Sequence, residues 1–167
     1  MNSNRSIRRI TGRHSGAFGT SAGMTLIEVL VAMGIAGLLV AIALPVTKSA
    51  LKSYHLGTAV HGVSGAIQST RYQAIMAGYH YTIAFDPATK KYQLASKVPP
   101  ATTFSNVGIA KEWSTTGDIS ISPATTLEFY PGGRVTATTG SLTFTLTNGT
   151  ATETLTVSAV GSISVTP

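Results

Sequence analysis

Glu28 is the one charge inside the apolar run MTLIEVLVAMGIAGLLVAIAL, residues 24 to 44. A carboxylate within a membrane costs about 2.5–3.5 kcal/mol on insertion scales, so it persists there with a cationic partner or a function. Its position one turn into the run also lets it reach the headgroups, and position alone leaves both readings open. Elsewhere the residue types that do chemistry are scattered. His55, His61 and His80 lack the i,i+4 or clustered spacing of metal ligands. Gly132-Gly133 has neither the lysine nor the following helix of a phosphate loop, and Asp86, Glu112, Asp118, Glu128 and Glu153 stand singly. With no cysteine there is no disulfide scaffold, thiol nucleophile, iron-sulfur cluster or Cys-based zinc site. The pattern argues against an enzyme and asks for no cofactor and no metal.

The 167 residues suit one domain of ordinary size with a short appendage, and 11% charged residues with a positive mean hydropathy argue against a disordered chain. Net charge is +6, but Arg5, Arg8, Arg9 and Arg13 put +4 of it in residues 1–23, where there is no acid. From Met24 onward eight basic residues face six acidic ones, leaving +2. Lys90, Lys91, Lys97, Lys111 and Arg134 are the cations available for a weak DNA-binding patch. They form no dense cluster in the sequence, whereas DNA affinity rests on several phosphate contacts made together, so the reading disfavours nucleic acid.

These residues need a helix to carry them. At about 1.5 Å per residue the 21-residue run matches the roughly 30 Å hydrocarbon core, which predicts a single membrane span. It exceeds the ~7–15 residue apolar region of a cleaved secretory signal. Arg8-Arg9 is followed by polar, glycine-rich sequence where a twin-arginine signal needs an apolar one. Four arginines before the span, against Lys48 and Lys52 just after it, place the N-terminus in the cytoplasm and the bulk of the chain outside it. After Pro45, Leu56, Val60, Val63, Ile67 and Ala74 keep helical spacing, predicting an amphipathic continuation over 46–78 that ends at Gly78 and packs on a sheet.

From Tyr79 the period changes to two. YHYTIAF and KYQLAS flank Asp86-Pro87-Ala88-Thr89-Lys90 as a hairpin, with further strands expected at 118–122, 126–130, 134–138, 141–147 and 152–165. Leu142, Phe144 and Leu146 alternate with Thr143, Thr145 and Thr147, giving one buried and one wet face. Residues 96–117, with Pro99-Pro100, read as a long loop.

Gly23-Met24-Thr25-Leu26-Ile27-Glu28, behind a basic polar leader and ahead of an unbroken apolar helix, resembles the processing site of type IV prepilins and type II secretion pseudopilins. The family usually has Phe where Met24 stands. The resemblance implies a pilin-like α+β fold: a long N-terminal helix, membrane-spanning in its first half (24–45), packed by its second half on an antiparallel β domain (79–167). It implies that a prepilin peptidase removes leader 1–23 after Gly23 and methylates the new amine of Met24. It also implies that Glu28 pairs with the N-terminal amine of a neighbouring subunit during assembly on an inner-membrane platform, and that Pro45 kinks the helix. Arg71-x-x-Ala74, Phe129-Tyr130-Pro131-Gly132-Gly133 and Gly161 further resemble the GspH/FimT type of minor pseudopilin, with Arg71 favoured as a structural anchor. The implied partners are other pilin or pseudopilin subunits in a type II secretion pseudopilus or type IV pilus, and Glu28 argues against the tip-capping subunit. Some relatives bind DNA through a basic Gly-Arg-x-Arg stretch near the C-terminus. Here Gly161-Ser162-Ile163-Ser164 lacks both arginines, so DNA uptake remains the alternative.

Overall fold

The computed structural model describes residues 23–115 and 118–167. Residues 1–22, which hold most of the expected leader, and residues 116–117, at the end of the expected loop, lie outside the described residues. Among the described residues one helix, α1 (Leu26–Ala77), precedes nine strands: β1 (His80–Asp86), β2 (Lys91–Lys97), β3 (Ser105–Glu112), β4 (Ser120–Ser122), β5 (Thr125–Phe129), β6 (Val135–Thr139), β7 (Thr143–Thr147), β8 (Thr152–Val157) and β9 (Ile163–Thr166). The strands form a five-stranded sheet, β3-β2-β1-β5-β6, and a four-stranded sheet, β4-β7-β8-β9, in which every pairing is antiparallel. The fold is α+β and pilin-like.

The chain divides between Ala41 and Ile42 into two compact units. In the first, every described residue is exposed, as a helix apolar on all sides must be when lipid or neighbouring helices are its solvent. The helical run that begins there is long and apolar enough to cross a membrane.

In the second unit α1 is amphipathic. Leu56, Ala59, Val60, Val63, Ile67, Thr70 and Ala74 are buried, while Lys52 and His61 face solvent. The stripe joins one core with Ile83 and Phe85 of β1, Leu127 and Phe129 of β5, Phe144 and Leu146 of β7, and Leu155 and Val157 of β8. Both sheets therefore close on the same helix. Phe85 and Phe144 meet across them with ring centroids 5.6 Å apart. Thr70, fully buried, satisfies its hydroxyl by donating to Ala66 O at 2.7 Å, so a polar group enters the stripe without an orphaned bond. Gly78 leaves the helix with φ +74, a left-handed conformation that glycine adopts without strain.

The β1–β2 hairpin forms where the alternation places it. Its turn is fastened by Asp86, whose carboxylate accepts from Thr89 Oγ1 at 2.7 Å and from Ala88 N at 3.0 Å. Those bonds, the Thr89 hydroxyl first, hold its pKa below the usual carboxylate range. Two expectations are corrected. Residues 96–117 are not wholly loop, because β3 lies within them as the edge of the larger sheet; all eight of its residues are exposed, so no buried face writes an alternation into the sequence. Residues 152–165 divide into β8 and β9 around a turn in which Ser162 N donates to Ser158 Oγ at 3.0 Å and Gly161 takes φ +79.

Helix and sheets are fastened together at Arg71. Its Nε donates to Gly133 O at 3.1 Å, in the turn between β5 and β6 of the larger sheet. A Cβ added at Gly161, in the β8–β9 turn of the smaller sheet, would lie 2.4 Å from the same Nε and 2.5 Å from Arg71 Cδ. Gln68 Nε2 donates to Gly161 O at 3.3 Å, and Val135 N to Ala159 O at 2.9 Å. The three short motifs at Arg71, Gly133 and Gly161 thus converge on one junction, and Arg71 is an anchor rather than a solvated helix residue.

Ile67→Ala should destabilise the fold by about 2–5 kcal/mol, read from denaturant unfolding of the full chain in detergent through the fluorescence of the single tryptophan, Trp113. Gly161→Ala should cost about 1–3 kcal/mol through its positive φ and the displaced arginine. In an Arg71→Ala background the same change should cost measurably less, and strict additivity of the two would refute the junction.

Candidate processing and assembly site

The site lies where the chain enters α1. Gly23, Met24 and Thr25 precede the helix, so the Gly23–Met24 bond is in non-helical backbone, the form a peptidase can draw into its cleft. Among the described residues no atom beyond its chain neighbours lies within 4 Å of a Cβ added at Gly23, and Met24 is exposed. Thr25 is the N-cap: its Oγ1 accepts from Glu28 N at 3.3 Å, and its carbonyl accepts the first helical bond, from Val29 N at 3.2 Å.

Glu28 therefore occupies the third position of the helix. Its carboxylate sits in the first turn, where the helix dipole favours negative charge. It lines an open apolar cleft of about 320 Å³ with Ile27, Val31, Ala32 and Ile35. A single carboxylate in such a setting can do little catalysis. It can hold a cation brought to it, and that attraction strengthens once lipid or a neighbouring helix covers the exposed apolar face around it. Thr25, named above within the processing motif, also caps the helix, a role that the charge-based reading passed over. Thr-x-x-Glu ahead of an apolar run is the sequence signature of a capping box, and it was there to be read.

The other singled-out residues stand apart from this turn in the sequence. Pro45 lies inside α1, which continues unbroken across it, and Thr47 Oγ1 donates to Ala43 O at 2.9 Å beside it. Of the five cations weighed for DNA, Lys90 and Lys91 are at the β1–β2 turn, and Lys111 opposes Tyr92 nearby. Acids share that end: Asp86 pairs in register with Lys91, and Glu112 Oε1 lies 3.7 Å from Lys91 Nζ. Lys97 is at the far end of β2, six residues and about 20 Å away at strand rise, with its ammonium over the Phe104 ring. Arg134 stacks its guanidinium over Tyr130, 5.1 Å from the ring centroid. The fold thus separates the five into at least two groups. Ser162 and Ser164, where a DNA-binding relative would carry arginines, lie in the β8–β9 turn and in β9.

His80 Nδ1 is 2.7 Å from Glu128 Oε1, a cross-strand pair between β1 and β5. Among the described residues no three His, Asp or Glu side chains converge as metal ligands would.

Two family models match the chain. The prokaryotic N-terminal methylation motif covers residues 20–44, so it spans the Gly23–Met24 bond, Glu28 and the apolar run. The type II transport protein GspH family covers residues 59–161, from the buried stripe of α1 to the Gly161 turn. No curated protein and no solved structure matches the chain. The matched families are structural pilin and pseudopilin subunits, not enzymes; they imply processing by prepilin peptidase and assembly with other such subunits. The one helix among the described residues that is apolar enough to cross a membrane is consistent with anchoring in the inner membrane. Together the two matches take in residues 20–44 and 59–161, and the chain belongs to the GspH family of type II transport pseudopilins.

Proposed function

We propose that this protein is a minor pseudopilin of a type II secretion pseudopilus, with a type IV pilus as the related setting. It inserts in the inner membrane with its N-terminus in the cytoplasm and residues from Val46 onward outside. Prepilin peptidase cuts after Gly23 and the new Met24 amine is methylated. The observation that carries this reading is the coincidence of the methylation motif with a helix whose first turn presents one carboxylate, Glu28, in an apolar cleft.

Assembly follows from the electrostatics. Cleavage creates an amine four residues before Glu28. Within one chain that amine lies at the helix start, while in a filament each subunit's carboxylate can receive the amine of the neighbour. Both charges are expensive alone in a low-dielectric bundle and satisfy one another there. Removing one partner strands the other, so the pairing selects a single axial register for incoming subunits. Pro45, at the end of the span, has no N–H to donate to the carbonyl of Ala41, and α1 bends there.

Mass spectrometry of the membrane-extracted protein should show an N-terminus at methylated Met24, and an intact leader would sink the reading. Glu28→Gln keeps the side-chain shape and removes the charge. It should leave insertion and cleavage close to wild type while lowering filament incorporation roughly tenfold or more, as expected for a buried charge left unpaired. Incorporation at wild-type levels would refute the charge-pairing role.

A further inference from the structure

Beyond the end of the span the helix carries two lysines on one face. Lys48 and Lys52 are four and eight residues past Leu44, the last residue of the apolar run, and so about 6 and 12 Å further along the helix axis. With Pro45, Ser49 and Thr150 they line an open cleft of about 310 Å³. The far wall of that cleft is the β7–β8 turn, which is fastened to the helix. Asn148 Nδ2 donates to Lys52 O at 3.0 Å, while its Oδ1 accepts from Thr150 N at 2.9 Å and Ala151 N at 2.8 Å. Asn148 is buried by this arrangement, so the turn and its threonine are held beside the lysines. No carboxylate lines the cleft, and neither lysine forms an ion pair among the described residues.

We infer that this cleft binds the phosphate of an anionic phospholipid headgroup in the leaflet from which the span emerges. The choice of occupant rests on placement and charge. A helix long and apolar enough to cross the membrane delivers the two ammonium groups to headgroup depth, and a lysine there adds about 1 kcal/mol of attraction to an anionic surface. The hydroxyls of Ser49 and Thr150 are donors suited to phosphate oxygens. The consequence is a contact that holds the β7–β8 turn to the bilayer and must break when the subunit leaves it. The inference rests on the membrane-anchored reading above, but its test reads lipid preference and not filament formation.

The test uses the full-length protein extracted in mild detergent and offered an equimolar mixture of phosphatidylglycerol and phosphatidylcholine, with retained lipid counted by native mass spectrometry. The wild type should retain phosphatidylglycerol about tenfold over phosphatidylcholine. Lys48→Gln/Lys52→Gln should bring the ratio near unity, Lys48→Arg/Lys52→Arg should keep it, and Lys90→Gln/Lys91→Gln should leave it unchanged. Unchanged Trp113 fluorescence in each variant reports an intact fold. A wild-type ratio near unity, or a preference that survives the glutamine pair, overturns the site. So does displacement by millimolar inorganic phosphate as effective as that by phosphatidylglycerol, since the cleft would then be a phosphate site without a membrane role. The same spectra report the N-terminal mass, so a failure of processing and a failure of lipid binding are read separately.

Discussion

The guanidinium of Arg71 sits where the last turns of the helix meet one turn from each sheet. Each sheet has a single apolar face, and neither closes a core without the other or without the helix stripe between them. Apolar burial drives that closure but is not directional, and it leaves the rotation of one sheet against the other loosely specified. Arg71 adds the direction. Its charge-assisted bond to Gly133 O fixes the larger sheet, and the flat side of its stem, packed against the bare α-carbon of Gly161, fixes the smaller one. The two glycines serve as much by what they lack as by their positive φ, since a side chain at Gly161 would occupy the arginine's own position.

The same helix has two characters. Its first part is apolar and exposed on every side, and its second is apolar along one stripe, so one continuous element changes from an exposed apolar rod to a wall of the globular core. Glu28 is in the first turn of the helix, where the Thr25 cap satisfies one of the free N–H groups of the helix start and the dipole favours a carboxylate. The helix start is thus suited to an acid before any partner arrives.

How much could be read from the residues followed from how burial writes itself into sequence. The stripe Leu56, Val60, Val63, Ile67 and Ala74 is buried on one side only, so its spacing announced the helix; β7, with Phe144 and Leu146 inward and threonines outward, announced itself in the same way. Strand β3 could not be seen because SNVGIAKE has no buried face, and its pairing with β2 slips between Tyr92 and Leu94, a bulge that any fixed alternation would miss. The separation of β8 from β9 was hidden because Gly161 was read as a motif residue and not as the left-handed corner it also is. At the processing site the acid was conspicuous among apolar neighbours, whereas Thr25, a common residue doing a local job, was not.

The outer face of the four-stranded sheet is a field of hydroxyls. Its register sets Thr143 against Thr156, Thr145 against Thr154 and Thr147 against Thr152, and continues the rows into Ser120 and Ser122 of β4 and Ser164 and Thr166 of β9. The strands are tied across this face by hydroxyls, as between Thr143 and Thr156 at 3.2 Å, and not by opposed charges. Ion pairs weaken as ions shorten the screening length, but a hydroxyl row offers nothing to screen. A surface built this way keeps its cohesion in concentrated and dilute salt alike.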